Sequence, residues 1–258
     1  LSGSPFFSAL RRTLLPLAIS VFAWGCADSG EPTPVRLEFV EVVTGEADPQ
    51  SPLPLFVGIH GLGDTPERFS TFFSERVAFP ARFVFLRGPD AHGDGFSWFP
   101  ISRSPGASDY TDELLESAGR IAATAGSLAA EYPTLGKPVV FGFSQGGMLS
   151  FALAAGDRSG FRAAVPIAGF LPEPLRPDEI SDPVPVRAYH GADDRLIAAA
   201  DARSSVEHLR SLGAPADIVV YEGVGHSMSR QMGDDILAAL RLLAANPLGR
   251  GKPDAVSD

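Results

Sequence analysis

The sequence predicts an α/β fold, a mainly parallel central sheet with helices on both faces, and three observations predict it. Apolar runs of strand length alternate with helix-compatible stretches along most of the 258 residues. Several of those runs are continuous rather than alternating, as in strands buried on both faces. One of them, Pro138-Val139-Val140-Phe141, passes through Gly142-Phe143-Ser144-Gln145-Gly146 straight into a helix-compatible run from Met148 to Ala155.

Taken in order, residues 1–26 stand apart from the fold. Arg11-Arg12 precede a short apolar stretch from Thr13 to Trp24, the pattern of a signal peptide and too short for a comfortable membrane span. The single cysteine, Cys26, follows Ala23-Trp24-Gly25, which resembles a bacterial lipoprotein cleavage box, so Cys26 is expected to be lipidated. Ordinary secretion and a retained anchor are the alternatives, and the arginine pair also admits twin-arginine export. Residues 27–34 are small, polar and proline-containing and read as a tether.

The folded domain is expected over residues 35–245. Val35 to Val43 makes a first strand at the sheet edge. Pro54 to Ile59 is a buried strand that empties into His60-Gly61-Leu62-Gly63-Asp64, and Thr65-Pro66 then begins a helix by cap and first-turn proline. Arg82 to Leu86 is another buried strand, followed by a long loop from Arg87 to Tyr110. Thr111 to Tyr132 carries Leu114, Ala118, Ile121, Ala125 and Leu128 on one helical stripe, and Pro133 stops it. After the glycine-flanked turn come a strand at Ala163 to Ile167, a proline-rich connection from Leu171 to Pro185, and a strand at Val186 to His190. A helix near Asp201 to Leu212, a strand at Ala216 to Tyr221 and a final helix with Met232, Ile236, Leu240 and Leu243 complete the series. Residues 246–258 read as a loose tail. No internal repeat is present.

Composition narrows the function classes. Hydrophobic residues make up 45% of the chain and charged residues 20%, enough for a sizeable core. The formal net charge of −10 argues against nucleic acid as a partner and against simple attraction to anionic lipid. One cysteine allows no internal disulfide and no cysteine metal cluster, and His60, His92, His190, His208 and His226 form no H-x-x-x-H pair. Neither a metal nor a cofactor is expected.

The chemistry is concentrated at Ser144. A strand, a sharp turn and a helix around G-x-S-x-G form a nucleophile elbow, which holds the serine hydroxyl out from the sheet at a helix N-terminus. Small residues at Gly142 and Gly146 let the turn close, since a Cβ there would meet the adjoining chain. A serine hydroxyl needs a histidine to take its proton and a carboxylate to orient that histidine. In such a fold these follow in the order serine, acid, histidine on loops after later strands. His226, in Glu222-Gly223-Val224-Gly225-His226-Ser227, is the expected base, and Asp193 or Asp194 the acid; spacing alone does not separate the two aspartates. His190 and His60 read as structural supports of their loops. The N–H of Gln145 and that of Leu62 are the expected oxyanion donors.

Five motifs in chain order, His60 to Asp64, Ser97-Trp98-Phe99, Gly142 to Gly147, His190-Gly191 with Asp194, and Tyr221-Glu222-Gly223 with His226-Ser227, resemble the phospholipase/carboxylesterase family of α/β-hydrolases, which includes acyl-protein thioesterases and small bacterial carboxylesterases. The resemblance covers roughly Leu53 to Leu243. It implies an α/β-hydrolase fold, a triad of Ser144, Asp194 and His226 with Asp194 as the acid, and oxyanion donors at Leu62 and Gln145. The implied activity is cleavage of carboxylic esters, or of thioesters or lysophospholipids, through an acyl-enzyme, on a small ester or acyl substrate. Trp98 and Phe99 read equally as lining of an acyl groove and as loop anchors. A peptidase or polyester depolymerase on the same fold, and a non-catalytic surface lipoprotein that binds lipid or a partner, are the alternative readings.

Overall fold

The computed structural model describes residues 36–100, 108–156 and 160–248. In chain order the elements are β1 (Phe39–Thr44), β2 (Leu55–Ile59), α1 (Pro66–Ser74), β3 (Ala81–Leu86), β4 (Asp90–His92), β5 (Gly95–Ser97), α2 (Ser108–Glu131), β6 (Val139–Phe143), α3 (Gln145–Ala155), β7 (Ala163–Ile167), β8 (Val186–Gly191), α4 (Ala199–Ser211), β9 (Ala216–Tyr221) and α5 (Arg230–Ala245). The expected signal peptide, Cys26, the tether and residues 249–258 of the expected tail lie outside the described residues.

Seven strands form one sheet in the order β1-β3-β2-β6-β7-β8-β9. All neighbouring pairs are parallel except the edge strand β1, which runs antiparallel to β3. The side-chain period of two then splits the buried strands between two cores. Phe56, Phe83, Phe85 and Phe141 point to one face, where Phe69 and Phe73 of α1 and Met232, Ile236 and Leu240 of α5 cover them. Val57, Ile59, Val84, Leu86 and Val140 point to the other, beneath α2, α3 and α4. Helices on both faces explain why these strands read as unbroken apolar runs.

The first face is built from aromatic rings. Phe141 meets Phe73 edge-on at 4.7 Å and Phe85 at 5.9 Å between centroids, and Phe56 stacks on Phe83 at 4.8 Å. Each pair adds about 0.5–1.5 kcal/mol beyond the area its rings bury. On the second face α3 has every residue buried, because the sheet lies on one side of it and α2 on the other. That burial holds the elbow from behind.

Caps follow the sequence signals. Thr65 Oγ1 accepts the Arg68 N–H at 3.2 Å with Pro66 in the first turn, and Ser229 Oγ accepts the Met232 N–H at 3.1 Å. The stretch after β3 departs from the expected loop. It holds a two-strand hairpin, β4 against β5, turning at Gly93-Asp94 with Gly93 at φ +58°. The helix expected from Thr111 begins at Ser108, the strand expected over Val35 to Val43 spans Phe39–Thr44, and the proline-rich connection contains a single 3₁₀ turn at Glu173–Leu175.

One feature of the topology positions the site. From β2 the chain moves to β3 on one side, while β6 lies against β2 on the other. The strand order therefore reverses between β2 and β6, and open α/β sheets place their sites outside the carboxyl ends of the strands at such a switch point. The loops carrying Leu62 and Ser144 border it.

Candidate active site

Ser144 sits between β6 and α3 at φ 57° and ψ −113°. A non-glycine residue in so sparsely populated a region costs about 1–3 kcal/mol, and the surroundings enforce it. Ser144 N–H donates to Ile167 O at 2.9 Å, and its carbonyl takes the first helical bond, from Met148 N–H at 2.9 Å. The close approach of β2 requires glycine in the turn. A Cβ on Gly146 would lie 2.0 Å from Ile59 O, and one on Gly142 would lie 2.5 Å from Gly146 O.

The loops after β8 and β9 bring up two more groups. They are locked together, since Asp193 N–H donates to Val224 O at 2.9 Å and Gly191 leaves room for that carbonyl, which a Cβ would meet at 2.2 Å. Across this junction His226 Nδ1 lies 2.7 Å from Asp194 Oδ2, and His226 Nε2 lies 2.8 Å from Ser144 Oγ. A carboxylate accepts only, so the Nδ1 position carries the proton and Nε2 is left to accept from the serine hydroxyl. The Phe143 ring packs beside the imidazole at 5.1 Å.

Burial separates the two aspartates that spacing could not. Asp193 is exposed, whereas the Asp194 side chain is 0% exposed and fully partnered. Its Oδ1 accepts the N–H groups of Leu196 and Ile197, each at 2.9 Å, and its Oδ2 faces His226. Burial alone would raise the Asp194 pKa, but hydrogen bonds from Ile197, His226 and Leu196 outweigh it and hold the carboxyl below its ordinary value. It is therefore ionised at neutral pH. His190, 1% exposed, contacts Ile197 O from Nε2 at 3.0 Å and so braces the turn around Asp194.

His60 is likewise a brace. It is buried, its Nε2 accepts Gly88 N–H at 3.1 Å and its Nδ1 lies 2.7 Å from Gly61 O. One nitrogen accepts and the other donates, which fixes a neutral imidazole. Desolvation lowers its pKa in agreement. The loop it supports lies against the elbow: a Cβ on Gly61 would stand 3.4 Å from that of Ser144. Among the described residues, the backbone N–H groups of Leu62 and Gln145 have no acceptor. Gln145 opens α3, so its N–H is one of the unpaired amides of a helix start.

A family model for phospholipases and carboxylesterases matches residues 39–244, most of the chain, from the start of β1 into the last turn of α5. The chain belongs to the phospholipase/carboxylesterase family of α/β-hydrolases. This is a family of serine-hydrolase-type esterases and thioesterases acting on carboxylic esters. A probable inactive carboxylesterase of Oryza sativa subsp. japonica is 30% identical over 189 residues, covering 67% of this chain and 77% of the rice protein. The carboxylesterase SOBER1 of Arabidopsis thaliana is 25% identical over 190 residues, 67% of this chain and 83% of that one. Among crystal structures, esterase PE8 superposes with a TM-score of 0.69 at 22% identity, over 81% of this chain and 99% of its own. Acyl-protein thioesterase 2 of Zea mays gives 0.61 at 21% identity, over 80% and 99%. At these identities the structural likeness speaks for the fold.

Two residues of this chain sit differently from a groove lining. Trp98 and Phe99 are each 1% exposed. Trp98 Nε1–H donates to His60 O at 3.0 Å, and Phe99 packs edge-on against Tyr110 at 5.1 Å. Their packing is that of loop anchors. The side chain of Gln145 is a further finding, since the sequence pointed only to its backbone. Buried to 3% exposure, it accepts Trp98 N–H at 3.1 Å and donates to Phe99 O at 2.8 Å. Its partners stand 46 and 47 positions earlier in the chain, so no local pattern reveals them.

Proposed function

We propose that the protein hydrolyses carboxylic esters through an acyl-enzyme, with thioesters and lysophospholipids as candidate substrates. Ser144 Oγ attacks the acyl carbon while its proton passes to His226 Nε2, and Asp194 holds the imidazole in the receptive tautomer. The carbonyl π electrons move to oxygen, and the N–H groups of Leu62 and Gln145 stabilise the resulting anion. Collapse expels the alcohol or thiol, which takes the proton from His226. Water then attacks the acyl-serine, giving its proton to the same nitrogen, and the second collapse frees the carboxylic acid as the proton returns to Ser144.

What supports this reading most is the continuous contact from Ser144 Oγ to His226 at 2.8 Å and from His226 to Asp194 at 2.7 Å. The word inactive in the rice relative's name concerns that protein; here the three groups meet. Ser144→Ala should lower turnover of a short p-nitrophenyl ester by several orders of magnitude. Retention of wild-type turnover would overturn the assignment. A panel that adds peptide and polyester substrates distinguishes peptidase and depolymerase activities on the same scaffold.

We also propose export and anchoring through a lipidated Cys26, on the strength of the basic, apolar and cysteine-terminated order of residues 11–26. Mass spectrometry of the mature N-terminus from the membrane fraction should find a diacylglyceryl adduct on Cys26. An unmodified Cys26 in a soluble mature protein would remove this proposal.

A further inference from the structure

We propose that the Gln145 side chain is a positioning residue, one end of a buried strut that fixes the Leu62 and Gln145 amides relative to each other. The inference rests on the reading of those amides as the oxyanion donors. The two amides leave different strands, β2 and β6, on loops distant in sequence. Something must hold them at a common point, because a donor contributes only at about 2.7–3.1 Å from the developing charge.

The segment from Phe96 to Phe99 spans the gap. At its far end the Gln145 carboxamide grips two successive backbone groups, Trp98 N–H at 3.1 Å and Phe99 O at 2.8 Å. Ser117 Oγ secures the same turn by donating to Trp98 O at 2.5 Å. From there the indole N–H reaches His60 O at 3.0 Å, and the His60 ring in turn holds Gly61 O at 2.7 Å. On the other side of Leu62, Gly63 N–H donates to Phe96 O at 2.8 Å and Phe96 N–H donates to Asp64 O at 2.9 Å. Leu62 is thus fixed through both neighbours by the one segment that Gln145 holds.

The physical case turns on why a carboxamide is buried there. An apolar side chain of equal size would fill the space but leave the buried Trp98 N–H without its acceptor and take one donor from Phe99 O, so the carboxamide contributes pairing and direction as well as volume. Hydrogen bonds to two adjacent backbone groups fix both distance and angle, which dispersion contacts do not. The strut also explains why Trp98 is an anchor: its ring fills the core beside His60 at 5.2 Å while its N–H reaches the loop.

The test uses Gln145→Met, which keeps the backbone N–H and the approximate size, and Trp98→Phe, which removes the indole donor from the opposite end. Competent sites are counted with a fluorophosphonate taken to completion. The kcat per site for p-nitrophenyl butyrate should fall by about 10- to 100-fold in each variant while KM stays within about threefold, since a displaced donor affects the transition state above all. Affinity for a trifluoromethyl ketone, whose hemiketal presents the same oxyanion, should weaken by a similar factor. A purely structural role would lower thermal stability and the number of competent sites and leave these per-site values alone. Per-site kcat and inhibitor affinity within twofold of wild type in the variants that fold would overturn the proposal; should Gln145→Met fail to fold, Trp98→Phe decides. Turnover surviving in Ser144→Ala would instead strike at the hydrolase reading itself.

Discussion

Asp194 shows how much a single side chain's surroundings decide. Its neighbour Asp193 has the same chemistry one position earlier, yet only Asp194 is enclosed, with two backbone donors on one oxygen and His226 on the other. Asp194→Asn would present an N–H to His226 Nδ1 and favour the wrong tautomer, so kcat should fall on the order of 10³- to 10⁴-fold, whereas Asp193→Asn should change it less than about threefold. Ester hydrolysis by the two variants checks this, and equal losses would contradict it. The depressed native pKa also fixes a sign. The contribution of Asp194 to stability is complete above the ordinary carboxylate value of 3.8 and is lost as the pH falls through the lower native value. Denaturant unfolding should therefore show the wild type and Asp194→Asn converging in that acid range; a difference independent of pH would count against the account. Ser144 and His226 stood out in the sequence because each lies in a glycine-rich turn that follows a strand. The choice between the aspartates was not legible there, since it depends on which carboxyl the turn at Leu196 and Ile197 encloses.

At the scale of elements, the turn between β6 and α3 is governed by backbone proximity. Gly146→Ala would drive a Cβ to 2.0 Å from Ile59 O, an obstacle made of main chain in a buried strand. Overpacking of that kind costs about 1–3 kcal/mol or more. Gly119, exposed in the interior of α2 with open space where a Cβ would stand, gives the opposite expectation. Gly119→Ala should stabilise by about 0.5–1 kcal/mol through helix propensity and reduced freedom of the unfolded chain. Thermal unfolding of the pair checks both signs, and a neutral Gly146→Ala would contradict the packing described. The seven strands of the main sheet were readable as apolar runs, α2 and α5 as apolar stripes, and α1 from its threonine cap and first-turn proline. The hairpin of β4 and β5 was not, because its strands are three residues long, too short for an apolar period to show, and β4 is wholly exposed. Its sole local signal is Gly93-Asp94, a turn dipeptide between runs too short to attract notice.

For the molecule as a whole, the sheet acts as a frame that gathers short loops from distant parts of the chain at one edge. A core rich in phenylalanine on one face and a mixed aliphatic and aromatic core on the other fix the strands, and the elbow stands where the strand order reverses between β2 and β6. Alternation of strands and helices made the fold class legible, and the order serine, acid, histidine made the outline of the site legible. The Gln145, Trp98 and His60 contacts could not be read in the same way, because they exist only once three separate loops are packed. The central claim is that Ser144 is the nucleophile and His226 its base. Reaction of the folded protein with a fluorophosphonate, followed by peptide mapping, tests it most directly. The account predicts one adduct, on Ser144, formed far more slowly in His226→Ala; an adduct on another residue, or ester hydrolysis that continues with Ser144 unmodified, would contradict it.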